Sequence, residues 1–371
     1  MAIAVFIFGS MFFAIIMCPL ALASNSIVRP TDEVRRMYES WMVEHGKSYG
    51  SKEKETRFQI FQSNVQFVDD HNRPENGHSY TVGLNRFADL TNKEYRKIYL
   101  SKKPFEDLHG NASTRYSVNE GDVNIPASID WRSKGAVTSV KEQGKCGCCW
   151  AFTAVGAVEG INQIVTGKLV TLSAQELVDC DTGGFNHGCL GGNMYKAFEF
   201  IKNNGGIDTD ADYPYKTTQN TCDLNKKNTK IVTIDGYESL RPNDENALKN
   251  AVVHQPITVG IESYRREFQL YSNGIYQGPC SYNLDHGALV VGYGEADGVK
   301  YWILKNTWGT DWGEKGYMRI QRDSGNFYGK CGMTRVMSYP VKNAANLKMI
   351  DEDSLRIKII NDGGESRSLD E

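Results

Sequence analysis

Gln143-Gly144-Lys145-Cys146-Gly147-Cys148-Cys149-Trp150-Ala151-Phe152 is the stretch on which the reading of this 371-residue chain turns. A glycine-containing loop runs into Trp150, Ala151, Phe152, Val155, Val158, Ile161, Ile164 and Val165, a mostly apolar helical pattern, and Gly167 is a good stop. The pattern predicts a helix whose N-terminus lies at or just after Cys149. Unsatisfied backbone N–H groups and the helix dipole at such an end favour a thiolate, the form of cysteine that attacks carbonyl carbon. A buried helix start preceded by glycines is the bland alternative. A zinc cluster of Cys146, Cys148, Cys149 and His187 or Cys189 is a third reading, but the C-x-C-C spacing lacks the C-x2-C geometry of most structural zinc sites.

A thiolate nucleophile needs a group that hands a proton to the leaving amine, and histidine suits that task near neutral pH. Three histidines lie downstream of the linker, His187, His254 and His286. His187 sits in a glycine-rich loop and reads as a solvated surface residue, and His254 precedes Gln255-Pro256, which suits a turn. His286 opens the apolar run Gly287-Ala288-Leu289-Val290-Val291-Gly292, so its ring stands at the start of a strand, a rigid place from which to aim a side chain. Composition does not choose between His254 and His286.

Further out, residues 1–23 are apolar throughout, and Ala21-Leu22-Ala23 before Ser24 has the small-x-small form of a secretory cleavage site, although no Lys or Arg precedes it. A retained anchor helix is the alternative. Removing this segment removes Cys18 and leaves eight cysteines, all between residues 125 and 342. An oxidising compartment lets them pair, but Cys146, Cys148 and Cys149 crowd one another, so unpaired thiols are expected. Val34, Met37, Tyr38, Trp41 and Met42, with Thr31 as N-cap, predict one helix, and Phe58, Phe61, Val65 and Val68, ending before Pro74, predict a second. Residues 102–124 read as an exposed linker with a glycosylation sequon at Asn111.

The 40% hydrophobic and 23% charged residues exclude collagen-like and wholly disordered chains. Residues 25–124 carry fifteen acidic and fifteen basic groups and residues 125–342 twenty-three of each, so the net charge of −3 sits in the tail, residues 343–371. These balances imply no basic face, and nucleic acid is not an expected partner.

Residues 143–152, Leu284-Asp285-His286-Gly287 and Lys305-Asn306-Thr307-Trp308-Gly309 resemble the three active-site blocks of the papain-like cysteine peptidases, in the same order. The likeness extends through Asp130-Trp131-Arg132, Gly188-Cys189-Leu190-Gly191-Gly192, Asp212-Tyr213-Pro214-Tyr215 and Tyr339-Pro340-Val341-Lys342. Upstream, Glu53, Arg57, Ile60, Phe61, Asn64, Val68 and Asn72, then Gly83, Asn85, Phe87 and Asp89, resemble the two motifs of the family's inhibitory propeptide. The chain looks most like the actinidain-like plant members, which also carry a tail. The organisation implied is a signal peptide (1–23), an inhibitory propeptide (24–124), a mature domain (125–342) and a C-terminal extension (343–371) that is removed or used for sorting.

The resemblance implies an α+β, papain-like two-domain fold: a helical half from about residue 136 to 235, an antiparallel β-barrel half from about 236 to 337, and the active site in the cleft between them. Strand patterns at residues 257–261, 288–292 and 301–305 support the second half independently. It also implies a zymogen-derived endopeptidase, with Cys149 as nucleophile, His286 as thiolate–imidazolium partner and later general acid, and Asn306 orienting His286 under the shield of Trp308. The Gln143 side chain and the Cys149 backbone N–H form the oxyanion hole. Gly191 and Gly192 admit the substrate backbone. Met194, Gly260, Leu284 and Val336 line a pocket suited to an apolar side chain at the second position before the cut. The implied bridges are Cys146–Cys189, Cys180–Cys222 and Cys280–Cys331, each contributing about 2 to 4 kcal/mol by restricting the unfolded chain. Cys148 stands where most relatives have serine or a small residue, which puts in doubt which sulfur reacts with probes; Thr307 and Asn193-Met194-Tyr195 also depart from the usual pattern. No cofactor and no metal are implied. The expected partners are peptide or protein substrates, the chain's own propeptide as inhibitor and cystatin-type inhibitors. Neither a membrane, once the signal is gone, nor a partner subunit is expected. The expected destination is a vacuole or lysosome-like compartment, with extracellular release as the alternative. A non-catalytic storage or binding relative is the competing class, and it would usually have lost the nucleophile that is present here.

Overall fold

The computed structural model describes residues 28–103, 105, 115 and 125–343. The apolar leader 1–23, the sequon at Asn111, most of the linker and the tail beyond Asn343 lie outside the described residues.

The upstream segment contains helices α1 (Thr31–Glu44) and α2 (Ser51–His71), a short strand β1 (Tyr80–Val82) and helix α3 (Asn92–Tyr99). Tyr38, Trp41, Phe58, Phe61 and Val65 of the first two helices meet in a small apolar core of their own, as the helical spacing requires. Thr31 is the first helical residue rather than the cap: Pro30, with φ −56° and ψ 138°, occupies the N-cap position and no side chain caps the end. The third helix starts with a capping box, in which the Thr91 hydroxyl accepts from the Glu94 N–H and the Glu94 carboxylate accepts from the Thr91 N–H.

Strand β2 (Ile129–Asp130) is followed by α4 (Cys149–Thr166), α5 (Ala174–Cys180), α6 (Met194–Asn204) and the single turn α7 (Leu224–Lys227). Then come β3 (Gly236–Ser239), α8 (Glu245–Val252), β4 (Ile257–Ile261), α9 (Arg266–Gln269), β5 (Tyr271–Tyr276), β6 (His286–Ala296), β7 (Val299–Lys305), β8 (Tyr317–Gln321) and β9 (Met337–Val341). The strands join in the order β1-β5-β8-β7-β6-β4-β9-β3, with β2 on β6. Every pairing is antiparallel except β5 with β8, so the sheet expected to be wholly antiparallel is mixed. The expected halves also exchange chain at their ends: β2 and Trp131, before the helical half, pack in the sheet half, and the upstream β1 adds a strand to β5.

Helix α4 ends at Gly167, which adopts φ +74° as a left-handed cap. Its residues from Cys149 to Asn162 are all buried, in a core shared with α5, α6 and residues Leu289, Val291 and Ile303 of the sheet. The second core fills the sheet half and takes in Phe87, Tyr95 and Tyr99 of the upstream segment. Cys149 at the start of α4 and His286 at the start of β6 therefore stand at the seam between the two cores.

Candidate active site

The three implied disulfides are present, Cys146–Cys189, Cys180–Cys222 and Cys280–Cys331, and Cys148 and Cys149 are free thiols. Cys146–Cys189 ties the loop before α4 to the loop that carries Gly191, so two loops on the helical side of the cleft are stapled together beside Cys149. Cys149 Sγ accepts the Gly287 N–H at 3.3 Å, a contact from the residue that follows His286. His254, by contrast, is exposed in the turn after α8.

His286 is fully buried, and its Nε2 lies 2.7 Å from Asn306 Oδ1. The same amide oxygen accepts the Thr307 N–H at 2.7 Å. With oxygen as the acceptor, Nε2 carries the proton and Nδ1 is left to exchange protons; among the described residues Nδ1 has no hydrogen-bond partner. The Trp308 ring stacks on the imidazole with centroids 4.4 Å apart and closes this bond off from water.

Asn306 follows Lys305, whose buried ammonium donates to Thr138 Oγ1 at 2.9 Å. The Thr138 hydroxyl donates to Glu159 Oε2 on α4 at 2.6 Å, and the Leu172 N–H donates to the other carboxylate oxygen at 2.9 Å. Burial pushes the Glu159 carboxyl up and the Lys305 ammonium down. This cross-brace between α4 and β7 fixes the end of the strand just before Asn306, and no local sequence pattern announces it.

Gln143 is also fully buried. Its Oε1 accepts from Thr307 Oγ1 at 2.6 Å, which turns Nε2 outward, where it donates to the carbonyl oxygens of Cys146 and Tyr99, each at 2.9 Å. The threonine that replaces the more usual serine thus keeps the hydroxyl that sets the amide's orientation.

Tyr99 belongs to the upstream segment, which continues along the cleft. The Ser101 N–H donates to the Asp285 carbonyl at 2.9 Å, and the Lys102 and Lys103 N–H groups donate to the Leu190 carbonyl at 3.0 and 3.1 Å. A Cβ on Gly191 would stand 2.1 Å from Ser101 Oγ, and one on Gly192 would stand 2.6 Å from the Trp150 ring. These two glycines therefore make room, the first for a chain in the cleft and the second for the packing beneath it.

Phe87 and Tyr95 meet the Trp308 ring edge-on at 5.5 and 5.6 Å. Arg86 donates to the Trp308 carbonyl at 2.9 Å and pairs with Glu142. Together these contacts hold Cys149 and His286 under a lid. Burial pushes the Cys149 thiol up to about 12, against the Gly287 N–H, and pushes His286 down to about 4, against its bond to Asn306. In this closed form sulfur and ring are both neutral, and the thiolate expected from the helix N-terminus is outweighed by desolvation.

At the expected specificity pocket, Gly260 donates its N–H to the Val336 carbonyl at 3.0 Å, and a Cβ on it would lie 3.0 Å from Leu284 Cδ1 and 3.6 Å from Val336 Cβ. Met194, Leu284 and Val336 fall in one buried apolar cluster, which also takes in Phe105 of the upstream segment.

Residues 125–341 match the description "Papain family cysteine protease", and residues 38–95 match "Cathepsin propeptide inhibitor domain (I29)". The chain belongs to the papain family of cysteine proteases. It is 55% identical over 321 residues to Cysteine proteinase RD21A of Arabidopsis thaliana, covering 86% of this chain and 69% of that one. It is 50% identical over 322 residues to the Oryzain beta chain of Oryza sativa subsp. japonica, covering 85% and 69%. Among solved structures it is similar to the ragweed pollen allergen Amb a 11 cysteine protease in its proform, with a TM-score of 0.76, 41% identity and coverage of 84% and 95%. It is also similar to a recombinant stem bromelain precursor, again with a TM-score of 0.76 and 41% identity, over 84% and 100%. The protein is thus a papain-family hydrolase made as a zymogen, with its propeptide as intramolecular inhibitor and peptides as substrates. Such propeptide-bearing plant proteases belong to the secretory pathway. No helix among the described residues is long and apolar enough to cross a membrane.

Proposed function

We propose that Cys149, His286, Asn306 and Gln143 form the catalytic set of this cysteine endopeptidase. The observation that carries the reading is the Tyr99 carbonyl, seated on the Gln143 side-chain N–H at 2.9 Å in the cleft that holds Cys149. Removing the propeptide admits water, lowers the desolvation of both groups, and lets the proton move from Cys149 Sγ to His286 Nδ1. The thiolate then attacks the substrate carbonyl carbon, and the carbonyl oxygen becomes an oxyanion held by Gln143 Nε2–H and the Cys149 N–H. Losing one such donor typically costs about 10²- to 10³-fold in rate. As the C–N bond breaks, His286 Nδ1–H protonates the leaving amine and a thioester remains. Water, deprotonated by the now neutral ring, attacks the thioester, and the acid product leaves as the thiol reforms. Asn306 keeps the ring aligned without adding a negative charge, and Trp308 keeps water from that bond.

Met194, Gly260, Leu284 and Val336 supply the pocket for the second residue before the cut, and all four are uncharged. A guanidinium left unpaired among them costs several kcal/mol. Profiling the processed enzyme on a peptide library tests this, with Leu, Val or Phe dominant at that position; a profile dominated by Arg contradicts it. The same reading places the mature domain at residues 125–342, with cleavage near Val123 or Asn124, and assigns the acidic tail 343–371 to vacuolar sorting. It has the mature enzyme act as a monomer that cystatin-type inhibitors block.

A further inference from the structure

Tyr215 closes the block Asp212-Tyr213-Pro214-Tyr215, to which no role has so far been attached, and it reaches the reaction centre from behind. Its hydroxyl donates to the backbone carbonyl oxygen of Gln143 at 2.6 Å. The phenol oxygen lies 2.9 Å from Cys148 Sγ. A phenol has one proton and a carbonyl only accepts, so that proton belongs to the Gln143 bond and the Cys148 S–H donates to the phenol oxygen. Cys148 is the N-cap residue of α4, and Cys149 is the first residue of the helix. The chain Cys148–Tyr215–Gln143 therefore links the helix start that presents the nucleophile to the residue that presents the oxyanion amide. Phe152, on the first turn of the helix, meets the Tyr215 ring edge-on at 4.7 Å and fixes its angle.

Gln143 has further restraints: Thr307 bonds its N–H at 2.8 Å and its side-chain oxygen at 2.6 Å, and its side-chain N–H donates to the Cys146 carbonyl at 2.9 Å and, in the precursor, to that of Tyr99. Among the described residues the partner of its carbonyl is Tyr215. The next residue, Gly144, has φ +60°, in the left-handed region, where glycine carries no steric penalty. The peptide plane after Gln143 is thus not held by its own backbone preference, and the phenol supplies the restraint.

We propose that Tyr215 is a positioning residue for the oxyanion amide of Gln143, and that Cys148 is its hydrogen-bond donor, a structural thiol rather than a second nucleophile. The proposal rests on the reading of Gln143 as an oxyanion donor. It accounts for the departure at Cys148, because a serine hydroxyl in the same place donates equally well to the phenol.

The test uses mature enzyme quantified by covalent active-site titration, so that misfolded molecules are not counted. For Tyr215→Phe, loss of one aligned hydrogen bond predicts a fall in kcat of about tenfold with KM within about twofold. A peptide aldehyde, whose adduct bears an oxyanion, should bind about tenfold more weakly. The rate of alkylation of Cys149 by a peptidyl epoxide, which builds no carbonyl oxyanion, should be unchanged. Cys148→Ser should behave as wild type, and Cys148→Ala should move aldehyde affinity in the same direction as Tyr215→Phe by a smaller factor. Equal losses of epoxide and aldehyde reactivity, or an unchanged kcat in Tyr215→Phe, overturn the proposal. Gln143→Ala separates the two readings. If it loses aldehyde affinity while Tyr215→Phe keeps it, only the positioning role falls; if Gln143→Ala itself keeps that affinity, the oxyanion assignment falls with it.

Discussion

Cys149 and His286 are chemically quiet in the precursor because the propeptide has taken their water away. A thiol held at about 12 and an imidazole held at about 4 do not exchange a proton anywhere in the physiological range. Solvent, rather than a change of residue, is what activation restores. The loop sequence around Cys149 made its place at a helix start legible, and with it the proposed nucleophile, since a cysteine at a helix start after glycines is a local pattern. The choice of His286 over His254 was not legible from composition, because the partner is set by the pairing of β4 with β6, 137 positions downstream of Cys149, a contact that only the fold makes. Replacing Cys149 with Ala should abolish peptide hydrolysis and leave the melting temperature and the three bridges intact, since the thiol takes part in none of the bridges and accepts only weak contacts from backbone N–H groups such as that of Gly287 at 3.3 Å. Retention of more than a few per cent of wild-type turnover in the pure variant contradicts its role.

The inhibitory element is an assembly of the strand β1, which extends the sheet, Phe87 together with Tyr95 of α3, which set their rings edge-on against Trp308, and the segment after Tyr99, which runs along the cleft. The propeptide motifs marked these residues, but their contacts were hidden, because β1 is three residues long and alternation over so short a run carries no signal. At the end of α2, His71 stacks on His78 at 4.1 Å and touches Tyr80, which packs on Tyr276 of the mature β5 at 4.8 Å. Burial and the neighbouring His78 push His71 down to about 4, as burial does for His286. His71 has an ordinary value of 6.5, so between pH 6.5 and 4 the opened chain binds more protons there than the closed one, while His286 adds nothing to this balance because on opening it takes its proton from Cys149. Closure is therefore at full strength above about 6.5 and is lost as pH falls towards 4. Asp285 is raised by burial to about 7, but its carboxylate accepts from the Ser263 N–H and hydroxyl at 2.8 and 2.9 Å, contacts within the sheet half that opening does not remove. Acid-driven opening thus adds to any loss of the Arg57 pairs with Glu53 and Glu94, at 3.6 and 2.9 Å. Conversion of the precursor should accelerate as pH drops from 6.5 to 4.5, and equal rates at pH 7.5 and 4.5 contradict this. Tyr95 is fully buried, meets Trp308 edge-on and donates to the Ser263 carbonyl at 2.9 Å. Tyr95→Ala should weaken docking by about 3 kcal/mol or more and give a precursor that hydrolyses peptides at neutral pH; an unchanged, inactive precursor would show that the ring carries little of the docking.

At the scale of the whole molecule, two cores meet at a seam, and the reactive groups come from elements on either side of it. The family blocks revealed this division, together with the disulfide pairing, because each block is a local string. The mixed sheet, the exchange of β2 and Trp131 into the sheet half, and the Glu159–Thr138–Lys305 brace depend on strand pairing and burial between distant segments, which leave no local trace. The same division implies that propeptide and substrate compete for one cleft, since the Tyr99 carbonyl rests on the Gln143 amide. The most direct measurement is labelling of the full-length precursor and the acid-processed enzyme with a thiol-reactive epoxide at neutral pH, followed by mass-spectrometric mapping of the modified residue. Rapid modification of the processed enzyme at Cys149 alone is expected, with Cys148 unlabelled and the precursor nearly inert. Modification at Cys148, or equally fast labelling of precursor and processed enzyme, would contradict it.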